Sequence, residues 1–540
     1  MERVKVRLMK EKSFGALRMA TIAKAALAAL LIAAPAANAE QVKLTSIDTG
    51  FVLTGELLEY TDGNFVIRSS IGQLTIDSRQ VRCEGDGCPG AGPVFSSSIG
   101  VFGSNMIGSA LMPGLIEAYS ETQNSIVERQ IGADATQVVM RLLADDGSEI
   151  TAIELRSDSS ANAFPGLISG AAAIGMSSRP VTDREVAALQ QAGFNNINAA
   201  GQEHILALDG LIAIVSRDNA LRTITTADLT DIFSGAVDNW AALGGPDAPI
   251  NVYMREPGSG AYESFTSLVL ESQGERLTSG AQFIQSSRAL SDAVAADPNA
   301  IGVTGIAFER NSRALALETS CGLVIEPTEF NVKTEEYPLA RRLFLYTTGA
   351  SLAPSAQGLL EFALSDAAQG QIADLGFVNQ EITSIPLNSQ GRRVAEAFIQ
   401  PRDQESIRTM RELALELLDA ERLSTTLRFQ PSSSVLDVKS RGDIERLARY
   451  IADGALDQKE IVLIGFADDV NRFEANMALS EQRAAQIRAE VEAELARIGQ
   501  SDRVSIVTMG YGQLAPVACN DDVLGQASNR RVEVWVRDQF

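Results

Sequence analysis

Between Ile99 and Leu387 the sequence alternates apolar, strand-like runs with amphipathic helical stretches, and no other feature limits the fold as much. Such alternation marks layered α/β structure, because each helix has to bury one apolar stripe against a sheet. The spacing predicts helices over 107–119, 183–191, 226–233, 261–272 and 289–296, and strands over 205–208, 212–215, 250–253, 301–304 and 342–346. A second, shorter α/β pattern fills 427–540, with strands at 427–429, 461–466, 504–509 and 531–536 and helices at 441–452 and 473–498. Between them, 388–426 is rich in Arg, Glu, Leu and Ala and poor in turn formers, so it reads as a helical connector that spaces the final domain from the rest.

The first 39 residues read as a secretory signal peptide: basic residues from Arg3 to Lys24, an apolar run over 25–34, then the small-x-small sequence Ala37-Asn38-Ala39. The apolar run falls short of the roughly 20 residues that span a bilayer. Cleavage would remove seven basic and two acidic residues and move the net charge from −23 to −28. So acidic a surface repels nucleic acid, which is excluded as a partner, and any bound anion must be held by local hydrogen bonds. Export places the chain in the periplasm. Residues 40–90 carry short β-like runs separated by turn residues at 48–50, 62–64 and 71–73, which suggests a small β-barrel or β-sandwich. Cys83 and Cys88 lie five apart in a Gly-rich turn, and in an oxidising compartment a local disulfide is favoured over free thiols. Zinc is disfavoured because the chain holds one His; whether Cys321 and Cys519 pair is not legible.

In the middle segment, expected over 97–387, three small-residue loops run straight into helices: Gly103-Ser104-Asn105, Ser157-Asp158-Ser159-Ser160, and Arg255-Glu256-Pro257-Gly258-Ser259-Gly260. Helix N-termini expose unpaired N–H groups and partial positive charge, and so bind anions without a basic surface. Arg255 adds a forked, charged donor. Ser and Gly are also ordinary capping residues, so each loop alone says little. Ile174-Gly175-Met176-Ser177-Ser178-Arg179-Pro180, Asp209 to Val215, Asp231 to Gly235 with Asn239-Trp240, Arg255 to Gly260, Asp297 to Gly302 and Tyr337-Pro338-Leu339 resemble the phosphate-binding proteins of ABC importers. The resemblance implies two lobes that close over a tetrahedral oxyanion, held by Ser104, Ser159 or Ser160, Arg255, Ser259 and the backbone of Gly260. It also exposes departures: Ala173 stands where the family usually has Asp, and Pro257 and Ala261 where it often has Asp and Thr. Weaker discrimination against sulfate is therefore expected, with any remainder resting on Asp158, for which loop capping is the commoner role.

In the last segment, Gly465-Phe466-Ala467-Asp468, Asn476 to Ala484, Gly510-Tyr511-Gly512 with Pro516, and Asn529-Arg530-Arg531-Val532-Glu533 resemble the OmpA-like peptidoglycan-binding domain. Independently of that resemblance, Asn476, Ser480 and Arg483 fall on the same helical stripe as Ile487, Val491 and Ile498, where polar groups are costly unless partnered, so they should line a pocket. The resemblance implies that Asp468 pairs with the ammonium and Arg483 with the carboxylate of a diamino acid in a peptidoglycan stem peptide, with Asn476 and Arg530 beside them. The plainer alternative is a salt bridge between Asp468 and Arg483. Ala467, Asn471 and Gln526 depart from the family's usual Thr, Gly and Arg.

No G-x-S-x-G elbow, phosphate-binding G-x-x-x-x-G-K-[ST] loop or metal-ligand cluster appears, and His204 opens a predicted strand, so neither catalysis, a cofactor nor a metal is expected. The reading is a periplasmic oxyanion receptor tethered to peptidoglycan and the outer cell envelope, with an ABC importer permease as a further partner. Its rival is a structural envelope protein whose binding module serves as an interaction domain.

Overall fold

The computed structural model describes residues 41–46, 52–61, 64–69, 72–77, 81–84 and 98–539, the last range without 133–135, 200, 401–402, 430–434 and 502. The signal-peptide stretch and Cys88 lie outside the described residues. Two compact units divide near Phe95.

In the first unit, Gln41–Ser46, Val52–Thr61, Asn64–Ser69, Gly72–Asp77 and Val81–Glu84 form one antiparallel sheet. Val42 and Leu44 are buried while Lys43 between them is exposed, the period-two alternation of a sheet with one covered face. The order runs from Gly72–Asp77 through Asn64–Ser69, Val52–Thr61 and Gln41–Ser46 to Val81–Glu84, so the described strands form one open sheet and not the expected barrel or sandwich. Cys83 is disulfide-bonded.

The second unit opens with two lobes. In lobe 1, Ser98–Gly103 lies parallel to Glu149–Ser157 on one side and Ile174–Ser177 on the other, and Met112–Thr122 and Pro354–Leu364 supply helical cover. Val101, Ile153, Leu155, Ile174 and Met176 are sealed, as parallel strands covered on both faces require. In lobe 2, Asn251–Arg255 lies parallel to Ala300–Gly305 and Gln282–Ile284, under Thr226–Ser234 and Ser287–Ala296. Each lobe has its own apolar core.

Glu203–Val215 joins them. The sequence pattern predicts two strands here, 205–208 and 212–215, but the chain runs straight through. Its first half pairs with Ala340–Tyr346 and its second half with Ala300–Gly305, so one hydrogen-bonded sheet spans both lobes. Asp209 is held by Arg341, and Gly210 lies where a Cβ would come 2.6 Å from Val332, so the dipeptide serves packing and not a turn.

The last segment is a five-stranded sheet ordered Ser384–Pro386, Glu421–Arg428, Arg531–Asp538, Lys459–Gly465 and Ser505–Gly510. Ile461 and Leu463 face a core under Val438–Ala452 and Phe473–Arg497, while Val462 and Ile464 face a second core with Phe466 and Trp535. The expected connector is absent as a spacer: Gly391–Ile399 and Gln404–Glu416 bury Ala397, Met410 and Leu413 in that second core, and Glu421–Arg428 is a strand of the sheet.

Candidate functional sites

The three serine loops converge. Gly103 and Ser157 end two parallel strands level with Met176, the last residue but one of a third, at the carboxyl edge where open α/β sheets bind ligands. Asp158 N–H donates to the Gly103 carbonyl at 3.0 Å and the Asn105 amide donates to the Ser157 carbonyl at 3.0 Å, which fixes the first two loops together. Gly103 has φ +136°, open to glycine and closed to most side chains, and this bend lets the Ser104 N–H reach the Met176 carbonyl. Ser104 is 1% exposed, and its Oγ is buried with no partner among the described residues; Ser157 Oγ is in the same condition.

Ser159 caps the turn that follows it by accepting from the Ala161 N–H, while Ser160 accepts from the Ser178 N–H at 3.0 Å and lies 3.2 Å, Oγ to Oγ, from Ser178. The third loop comes from lobe 2. Arg255 ends its strand, donates from Nη1 to Ser287 Oγ at 2.7 Å, and keeps a buried Nε with no acceptor. Burial pulls the Arg255 pKa down, against the opposing charge of Glu256. Ser259 caps the following helix by accepting from Tyr262 N–H. Gly260 touches lobe 1: a Cβ there would fall inside the Met106 side chain.

Sequence reasoning missed Arg341. Its guanidinium is buried, donates to Asp209 at 2.7 Å and 3.0 Å, and reaches Met106 Sδ at 2.8 Å and the Gly260 carbonyl at 3.4 Å. It thereby ties the crossing strand to both lobes. Burial lowers its pKa and the Asp209 carboxylate opposes that shift. A buried cation read from sequence alone needs its partner, and Asp209 is 132 residues away.

Ala173 is the wrong place for the missing carboxylate. Its N–H donates to the Gly100 carbonyl, at the end of Ile174–Ser177 remote from the loops, whereas Ser178 at the other end faces Ser160. Asp158 is exposed, and its carboxylate accepts the Ser159 N–H at 2.7 Å, a loop-capping role. His204 lies away from the loops, on a cavity of about 470 Å³ shared with Arg441 and Arg446; burial lowers its pKa.

The second site is built on the N-terminal half of Phe473–Arg497. Asn476 and Ser480 are both sealed, as the stripe predicts. Asn476 Nδ2 donates to the Asp468 carbonyl at 2.8 Å and to Gln513 Oε1 at 2.9 Å, and Ser480 Oγ accepts the Gly512 N–H at 2.9 Å. These bonds fix the loops around 468 and 512 to the helix. Asp468 pairs with Arg530 at 2.7 Å, and among the described residues it has no salt bridge to Arg483. Arg483 is half-buried over the Phe429 ring, with its Nη1 buried and unpartnered. Burial and the neighbouring Arg530 lower its pKa, against the pull of Asp468. The four expected residues are therefore gathered, but the ion pair is Asp468 with Arg530.

The model of the PBP superfamily domain matches residues 109–367, and that of the OmpA family matches 428–530. The Phosphate-binding protein PstS of Borreliella burgdorferi is 28% identical over 211 residues, covering 38% of this chain and 71% of that protein. Protein SphX of Synechococcus elongatus is 29% identical over 246 residues, covering 43% and 68%. Outer membrane protein A of Bordetella avium is 33% identical over 108 residues at the other end, covering 20% of this chain and 52% of that one. The chain therefore carries a PBP superfamily domain fused to a C-terminal OmpA family domain.

Proposed function

We propose that this protein is an envelope receptor that captures phosphate or a similar tetrahedral oxyanion between its two lobes and is tethered to peptidoglycan by its C-terminal domain. The observation that carries the reading is the set of buried, unpartnered groups at the strand ends: Ser104 Oγ, Ser157 Oγ and Arg255 Nε. Buried polar groups without partners are rare because each forfeits its hydrogen bonds to water. A bound oxyanion would accept from such donors, and the name of the Borreliella burgdorferi relative, a phosphate-binding protein, supports phosphate as that anion.

The same logic supports the tether. Arg483 Nη1 and Asn476 Oδ1 are buried without partners beside the Asp468–Arg530 pair, a donor and an acceptor suited to the two charged ends of a stem-peptide diamino acid. The work of the protein is binding and release, with no covalent step, in the periplasm; a membrane permease that accepts the anion is the further partner. A purely structural role would leave the orphaned donors Ser104 Oγ and Arg255 Nε without a ligand. Equilibrium dialysis of the full chain with labelled phosphate tests the first half: saturable binding is expected, and its absence overturns the receptor reading. Pull-down with purified sacculi tests the second half in the same way.

A further inference from the structure

The C-terminal domain does not hang from the receptor by a linker. It is fastened to lobe 2, to the crossing between the lobes, and to lobe 1. On lobe 2, Cys321 and Cys519 form a disulfide across 198 residues, and beside it Ser320 Oγ donates to Asp521 at 2.7 Å. At the crossing, Glu336 pairs with Arg422, both almost wholly buried, and Arg428 reaches Glu335 at 3.2 Å and the Thr334 carbonyl at 2.9 Å. On lobe 1, Asp366 pairs with Arg449 at 3.1 Å, and Gln380, which itself holds the Ile205 carbonyl, accepts from Arg446 at 2.8 Å.

Two neighbouring arginines show how closely this fastening meets the cleft. Arg341 reaches Asp209, Gly260 and Met106, and Arg342 beside it reaches Glu335 and Asp437, the residue that caps the helix Val438–Ala452. Leu524 of the C-terminal domain also lines the cleft of about 740 Å³ that contains Ser159, Ser160, Tyr262 and Arg341.

Two lobes joined only by crossing strands open by rotating about them. A third body fixed to both lobes spans that hinge, so rotation has to break its contacts on one side. Breaking them at the crossing would take both Arg422 and Arg393 from the buried Glu336 carboxylate, the costly half of a buried ion pair. The disulfide keeps lobe 2 attached whatever the ion pairs do.

We propose that the C-terminal domain is a working part of the anion receptor: by gripping both lobes at once it holds the cleft near its closed geometry even when no anion is bound. The ligand part of this inference rests on the proposed function, but the closure itself does not. A cleft held ready in this way gives up little freedom on binding and releases its anion slowly.

Small-angle scattering of the full chain, with and without inorganic phosphate, reads the lobe angle directly. The expected result is the same profile in both conditions. A released variant, Cys321→Ser with Cys519→Ser, Arg342→Ala and Arg449→Ala, should expand without phosphate and contract on adding it, with phosphate affinity lower by about five- to a hundredfold, the usual span of coupling between sites. If that variant fails to fold, Arg449→Ala in the presence of reductant removes the Asp366 pair and the disulfide alone and should show the expansion in weaker form. Contraction of the wild type on adding phosphate would overturn the proposal. So would a folded released variant, or the reduced Arg449→Ala protein, that stays as compact as the wild type. Profiles taken without phosphate need no ligand, so a failure of phosphate binding in dialysis would count against the receptor reading and leave this test standing.

Discussion

Arg255 is the cation of the cleft that no carboxylate pairs with among the described residues, since Arg341 is engaged by Asp209 and Arg179 by Glu185. In a chain of net charge −23 its guanidinium is the charge available to an incoming anion. Arg255→Ala should therefore lower phosphate affinity about ten- to a hundredfold, the worth of one charged hydrogen bond at about 1.5–3 kcal/mol. Equilibrium dialysis checks this, and equal affinities would move the site elsewhere. Ser178 decides a second point. Its hydroxyl faces Ser160, where a carboxylate would accept the proton of hydrogen phosphate and repel fully ionised sulfate. Ser178→Asp should make sulfate a poorer competitor by about tenfold or more, on the same charged hydrogen-bond scale. Asp158→Asn should leave that competition unchanged, because the Asp158 side chain is exposed and spent on the Ser159 N–H.

At the scale of elements, Gly260 is where the helix of lobe 2 meets lobe 1. Alanine there favours the helix by up to about 1 kcal/mol, yet its Cβ would occupy the space of Met106 and hold the lobes apart. Gly260→Ala should leave the thermal midpoint unchanged or raised while phosphate affinity falls; a parallel loss of both would mean a damaged lobe. On the helix Phe473–Arg497, Arg483→Ala should abolish retention on sacculi and leave phosphate binding intact. These elements were legible to different degrees. Asp183–Gln191 matches its expected span because Thr182 and Glu185 form a complete capping box, a signal contained within four residues. The stripe of Asn476 and Ser480 was legible for the same reason: it repeats along one helix. Asp209-Gly210 misled because its partners, Arg341 and Val332, are far away in sequence. The helices of 388–426 misled because the sheet face they cover is made largely of strands that come later in the chain.

At the scale of the whole molecule, the contacts that unite the two domains were the least legible, since Glu336 lies 86 residues from Arg422 and Arg342 lies 95 from Asp437. Local patterns report which residues are charged, not which charges meet. Those same pairs give the junction a pH dependence with a definite sign. Burial alone would raise the Glu335 carboxyl, but Arg342, Lys439 and Arg428 outweigh it and hold it down at about 2; Glu336 and Asp437 are lowered in the same sense. An unfolded Glu titrates near about 4.3. A carboxyl depressed in the fold contributes its stability in full above that value and loses it as the pH falls toward the folded value, so the junction should weaken between about pH 4 and pH 2. For Glu335 alone the loss is on the order of 3 kcal/mol. Trp535 lies in the C-terminal core near this junction, so its fluorescence should change across that window while the protein remains stable above about pH 5. Glu335→Gln carries no titrating group, so it should be less stable at neutral pH and show a smaller loss on acidification. Equal acid sensitivity in the two proteins would place the titrating group outside the junction.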